Sequence, residues 1–209
     1  MGNKERSLQM KATKDSIVEI AERLFRQTGF QKTTVADIAH ELQMSPANVY
    51  RYFPTKSKIN EAVCQRLFDE IEAAVEHMAD SPGPASRMLR NAVFAVSQIN
   101  AERLMSDRKL HELFEAALNE NWQIMHEHVG RMDKLFGRII RQGMAAGEFQ
   151  AGDVRLASVV LRSICLKFCN PRQTGENSEP TIDQVVEFCL AALAAKERAP
   201  GYAPRLEVA

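Results

Sequence analysis

Between Thr33 and Lys56 the sequence sets hydroxyls, an amide and cations close together: Thr33, Thr34, Ser45, Asn48, Arg51, Tyr52 and Lys56. An asparagine offers a donor and an acceptor side by side and can pair bidentately with an adenine edge. A small residue such as Ala47 can touch a thymine methyl. Hydroxyls and amines at helix starts suit phosphate oxygens, which fix register without reading sequence. This is chemistry for gripping a polyanion rather than for breaking a bond.

Other candidate groups are more scattered. His126, Glu127 and His128 have the residue types of a metal site, but positions i and i+2 on a helix point apart and no HExxH spacing exists. His111 lies one turn before Glu115, as a pocket hydrogen-bonder or a plain helix-surface pair. Cys165 and Cys169 share a helical face and could form a redox or metal pair; core thiols are the simpler reading, since no further ligand stands at zinc-like spacing. Nowhere is there a nucleophile with a base and a group to orient it, so an all-α enzyme using His111 or His126 lacks support. No catalytic residue, metal or cofactor is expected.

The elements that must position these groups follow from periodicity. Ile17, Ile20, Ala21, Leu24 and Phe25 predict a first helix over about 15–28, closed by Gly29 and the apolar contact of Phe30. Thr34 and Asp37 form a capping signal for a short second helix carrying Val35, Ile38, Ala39 and Leu42. Ser45 and Pro46 then start a third helix through about Phe53. Val49 and Phe53 face its core, leaving Ala47, Asn48, Arg51 and Tyr52 outside. Two short helices joined by a tight turn are a helix-turn-helix. Pro54 breaks the third helix, and a stripe from Ile59 to Met78 predicts a long fourth one. SPGP at 81–84 marks a turn, and helical segments follow at about 85–103, 107–119, 121–146, 153–168 and 182–195. PRQTGENSEP at 171–180 reads as a flexible polar loop, and 197–209 as a trailing tail.

Composition sets the class. The 209 residues are 45% hydrophobic and 26% charged, with 10 Gly and 8 Pro, which suits an ordered helical chain. The longest apolar run, Phe188 to Ala195, is far short of the ~18 residues of a membrane span. The polar start predicts a cytoplasmic protein without a signal peptide. No Gly-rich phosphate loop or strand-helix alternation appears, so the fold class is all-α. Net charge is zero, yet residues 1–60 carry ten Lys/Arg against six Asp/Glu. A basic front end on an acidic body fits a first domain that meets a polyanion. Lys4, Arg6, Lys11 and Lys14 suit either a minor-groove arm or a solvated tail.

Residues 17–63 resemble the DNA-binding domain of TetR-family transcriptional regulators. The resemblance rests on the Gly29-Phe30 corner, Thr33-Thr34-Val35, Ile38-Ala39 and the run Val49-Tyr50-Arg51-Tyr52-Phe53-Pro54-Thr55-Lys56. Two positions depart from the family pattern: Gln43 stands where the turn usually has Gly, and Ala36 where a basic residue is frequent. The resemblance adds Tyr50 as a base or backbone contact; Tyr50 and Tyr52 as core or staple residues, and Lys56 as a solvated charge, stay open beside it. With the capping pair Ser45 and Pro46, the expected DNA-binding set is Thr33, Thr34, Ser45, Pro46, Ala47, Asn48, Tyr50, Arg51, Tyr52 and Lys56. It implies a helix-turn-helix domain over 1–60, with 1–14 as a basic arm, followed by a larger helical ligand-binding and dimerisation domain over 61–196.

Met78, Phe94, Phe114, Trp122, Met125, Met132 and Phe136 recur at helical spacing; a core is the default, and the resemblance points to a ligand cavity. Its expected lining also includes His111, Val129 and Cys165. The last two helices carry more apolar surface than one small core covers. A four-helix homodimer interface through Val160, Ile164, Val185, Phe188, Cys189 and Leu193 is therefore expected. The implied function is a sequence-specific regulator, a repressor released from operator DNA by a small, largely apolar effector. A ligand-independent architectural DNA binder would share the first domain.

Overall fold

The computed structural model of the chain describes residues 2–120, 122–150, 152–167 and 180–194, with the side chains of 2–9, 11–12, 104–105 and 165–167 outside that description. Among the described residues the regular elements are helices, with one isolated bridge between Phe149 and Ala194.

Helix α1 spans Gly2–Thr28. It begins well before the predicted start at residue 15, so residues 2–14 of the expected basic arm are helical. Those residues are good helix formers without an apolar stripe, so propensity extends the helix where periodicity gives no sign of it. Lys14 lies back over the Phe53 ring, its Nζ 5.7 Å from the centroid. Ile17, Ala21 and Phe25 are fully buried. The helix stops at Gly29, whose φ of 90° reaches the left-handed region that favours glycine. Phe30 then turns in and meets Phe25 edge to face, with centroids 6.5 Å apart.

Helix α2 is Val35–Glu41, and α3 is Pro46–Tyr50. The third helix ends before the predicted Phe53, because Arg51 and Tyr52 close its end with bonds to Asn48 O and Val49 O three residues back. Thr55 caps α4, Lys56–Ala79, through the Lys58 N–H. This helix buries Ile59, Val63, Leu67, Ile71 and Val75 along one stripe, and it runs across the domain boundary expected at 60–61.

Helix α5 (Ala85–Asn100) passes into a π-helical turn, Ala101–Met105. Helix α6 (Arg108–Asn119) is capped by Asp107, whose carboxylate accepts the Lys109 and Leu110 N–H groups. Helices α7 (Gln123–Ala145), α8 (Val154–Lys167) and α9 (Ile182–Leu193) complete the bundle. The same hydrophobic core continues through Leu89, Val93, Leu113, Phe136, Ile139 and Ile140. Gly143 of α7 is where Phe149 seats: a Cβ there would fall 2.2 Å from its ring. Gln150 then donates its backbone N–H to Leu193 O at 2.9 Å, tying the end of α9 to the chain after α7.

Among the described residues no helix is long and apolar enough to cross a membrane. Burial pushes the Cys64 thiol up to about 12 and also raises that of Cys189, so neither is a ready thiolate. Cys169, residues 171–179 of the expected loop and the tail 197–209 lie outside the described residues.

Candidate nucleic-acid interface

The first three helices build a rigid frame for the face formed by α2 and α3. Thr34 and Asp37 make a reciprocal capping box: the hydroxyl accepts the Asp37 N–H at 3.1 Å, and the carboxylate accepts the Thr34 N–H at 2.7 Å. The Thr34 N–H and hydroxyl hold the Asp37 carboxyl below its usual range. The turn between α2 and α3 passes through Gln43 at φ 53°. Its left-handed backbone explains why a family pattern prefers glycine there. Met44 N–H returns to Ala39 O at 2.9 Å, which closes the turn.

Ser45 caps α3 by accepting the Asn48 N–H at 3.2 Å, and Pro46 supplies the first helical residue. Val49 is completely buried and Phe53 nearly so. Ser45, Pro46, Ala47, Tyr50 and Arg51 are consequently exposed, and Thr34 with them. Asn48 is half-buried, its amide Nδ2 lying 3.9 Å from Met44 Sδ, a weak contact that a base edge can replace.

Three expected contacts sit differently. Thr33 is only 2% exposed and its hydroxyl donates to Gly29 O at 2.9 Å, so it braces the corner after α1 and is removed from the DNA-facing set. Tyr52 is half-buried against the core. Lys56 is half-buried too, and Nζ donates to Gln31 O at 3.1 Å; burial lowers its pKa, partly offset by Asp37. Its amine ties the start of α4 to the turn after α1 and reaches a phosphate only by releasing that carbonyl.

The expected effector lining is dispersed. Met132 and Phe136 are packed core, at 2% and 0% exposure, while Met78, Phe94, Trp122, Met125 and Val129 are half-buried. Phe114 borders one of the described cavities, which lies where α1 and α4 meet the π-helical turn and α6. Neither ring nitrogen of His111 makes a hydrogen bond, although Nε2 lies 3.4 Å from Glu115 Oε1. The Cys165 side chain lies outside the described atoms. Of the expected dimer contacts, Phe188 is 75% and Val160 44% exposed, joined by Leu156 at 62%. Ile164, Val185 and Leu193 are half-buried. Cys189 is buried in the single chain, and it borders the hollow on this face. An apolar hollow of about 270 Å³ between α8 and α9 opens on the same face, lined by Leu156, Val160, Phe188 and Leu193.

Sequence reasoning missed two polar clusters. His128, expected at the surface or at a pocket edge, is largely buried where α7 meets α4, beside Glu72, while His126 is exposed. Arg26 of α1 reaches Asp107, 81 residues away, at 3.3 Å, while holding Glu22 at 3.0 Å. The Glu22–Arg26 spacing of four was visible in the sequence; the distant partner was not.

The architecture is that of a helix-turn-helix regulator with a helical second domain. Residues 17–63 match the family "Bacterial regulatory proteins, tetR family", and residues 85–189 match "Tetracyclin repressor-like, C-terminal domain". The chain belongs to the TetR family of DNA-binding transcriptional regulators, a family of regulators rather than enzymes. Curated relatives include the uncharacterized regulator YfiR of Bacillus subtilis, 23% identical over 64% of this chain and 66% of its own length. The regulator TcmR of Streptomyces glaucescens is 22% identical over 65% and 61%. The chain thus spans just under two thirds of the length of these relatives. The nucleoid occlusion factor SlmA of Photobacterium profundum is 26% identical over 56% of this chain and 68% of its own. Among solved structures, a tetR-family regulatory protein from Rhodococcus RHA1 is 26% identical, with a TM-score of 0.62 over 88% of this chain and 98% of that one. SmeT, the repressor of a Stenotrophomonas maltophilia multidrug efflux pump, shares the fold with a TM-score of 0.67 over 93% and 97%, at 20% identity.

Proposed function

We propose that the protein is a homodimeric repressor that binds a pseudo-palindromic operator and is released by a small, largely apolar effector. The observation that carries this reading is the capped, rigid α2–α3 frame presenting Thr34, Ala47, Asn48, Tyr50 and Arg51 on one face. The exposed apolar side of α8 and α9 supports pairing of two chains, which sets two recognition helices about one DNA turn apart or a multiple of it. Tetracyclin-repressor-like relatives support an effector site in the second domain. There the half-buried Met78, Phe94, Trp122, Met125 and Val129 supply adaptable apolar surface. The protein acts in the cytoplasm, where its DNA lies.

A test is selection of bound sequences from a random duplex pool with the full chain, followed by sedimentation of the complex. Enrichment of a two-fold site holding two chains is expected. Recovery of unrelated sequences, or of one chain per site, overturns the reading.

One observation favours a second reading, a DNA binder without an effector: among the described residues Met132 and Phe136 of the expected lining are packed core, and the relative SlmA is named for nucleoid occlusion. Trp122 fluorescence titrated with small apolar molecules, with and without the selected DNA, separates the two. Reciprocal weakening of ligand and DNA is expected of the effector-released repressor.

A further inference from the structure

A cavity of about 120 Å³ lies at the joint where α1 and α4 meet the π-helical turn and α6. Its walls carry three guanidinium groups, Arg26, Arg66 and Arg103, against two carboxylates, Glu22 and Glu70, and its floor is apolar, with Leu67, Leu110 and Phe114. Two of the arginines are well held. Arg26 bonds Glu22 and Asp107, and Arg103 lies 3.0 Å from Glu70. Among the described residues Arg66 has only the second oxygen of Glu22, at 3.7 Å, beyond hydrogen-bond reach, and half of its side chain is open to solvent. Asp107 both caps α6 and neutralises Arg26, so the cluster as a whole is balanced and Arg66 is the guanidinium left without a close carboxylate.

We infer that this joint binds a small monocarboxylic acid with a short apolar body, its carboxylate on Arg66 and Arg103 and its carbon part on Leu67 and Phe114. A guanidinium fork matches a carboxylate bidentately, and such charge-assisted pairs are stronger than the long contact Arg66 makes now. The π-helical turn is what brings Arg103 to the mouth; such turns widen a helix locally and recur at functional sites. An acid seated here competes with Glu22 for Arg66, and Glu22 is the residue that steadies Arg26 against Asp107. It therefore acts on the chain of ion pairs that joins α4, α1 and α6. The effect on DNA rests on the regulator reading above; the binding does not.

The test is calorimetry on the full chain with butyrate and benzoate, with n-butanol and benzyl alcohol as neutral counterparts and inorganic phosphate as a bare anion. Saturable binding of one acid per chain is expected, with the alcohols and phosphate at least about tenfold weaker. Arg66→Gln and Arg103→Gln should each lose about tenfold in affinity, while Arg108→Gln, on a side chain 92% exposed on α6, should lose none. Circular dichroism checks each fold; if one variant melts early, the other decides. No saturable heat below about 10 mM acid, equal binding of alcohol or phosphate, or undiminished binding in the folded arginine variants overturns the site. Acid binding without any effect on DNA leaves the site standing and removes only its regulatory consequence.

Discussion

His128 of α7 stands with Nδ1 2.6 Å from Glu72 Oε1 on α4, and its ring lies flat on Phe68, with centroids 4.0 Å apart. Arg131 donates through Nε to the other Glu72 oxygen at 2.6 Å. Burial pulls the imidazole pKa below its ordinary 6.5, and Glu72 opposes this only in part. The unfolded chain then takes up a proton near 6.5 that the folded chain accepts only at lower pH. Stability from this site is full above that value and is lost as pH falls through the lowered native one. His128→Gln can still donate to Glu72 but cannot titrate. Urea unfolding at about pH 7.5 and about pH 5.5 should show a smaller loss for the variant than for the wild type. Equal losses would contradict the assignment.

Gln43 holds a left-handed backbone, φ 53°, at the turn that sets α3 against α2. Glycine adopts this conformation without the clash a side chain meets, though it gives up more entropy on folding. Gln43→Gly should raise stability by about 0.5–1 kcal/mol, read as a higher urea midpoint at an unchanged slope. A lower midpoint would show that the turn carries no strain.

Much of the helical order was legible because apolar spacing survives in the sequence: Ile17 to Phe25 and Ile59 to Met78 read as helices and fold as helices. The caps at Thr34 and Ser45 were legible for the same reason, being local. What could not be read was burial set by distant partners. Thr33 has a hydroxyl fit for phosphate until the Gly29 carbonyl claims it, and Lys56 is a free amine until Gln31 does. Met132 and Phe136 have the spacing of a pocket wall and of a core alike, and only packing decides between them.

Phe188 projects from α9 with three quarters of its surface exposed, beside Val160 and Leu156 of α8. A phenylalanine covered in a symmetric interface is worth about 1.5–3 kcal/mol in each chain, so Phe188→Glu should raise the dimer dissociation constant by at least about a hundredfold. The monomer fold should persist, since the ring supports nothing inside it. Light scattering across a dilution series checks this; an unchanged dimer would place the interface elsewhere.

Specific DNA reading by the α3 face is the claim on which the rest depends, and Asn48 tests it most directly. It stands in the first turn of a helix whose cap, at Ser45, and core contact, at Val49, do not depend on its side chain. The measurement is duplex affinity of wild type and Asn48→Ala, for the selected site and for a scrambled one, across a salt series. The account predicts that wild type prefers the selected site, and that the variant loses about 1–3 kcal/mol there and almost nothing on scrambled DNA, with the salt slope unchanged. Equal losses on both duplexes, or no preference by the wild type, would contradict it.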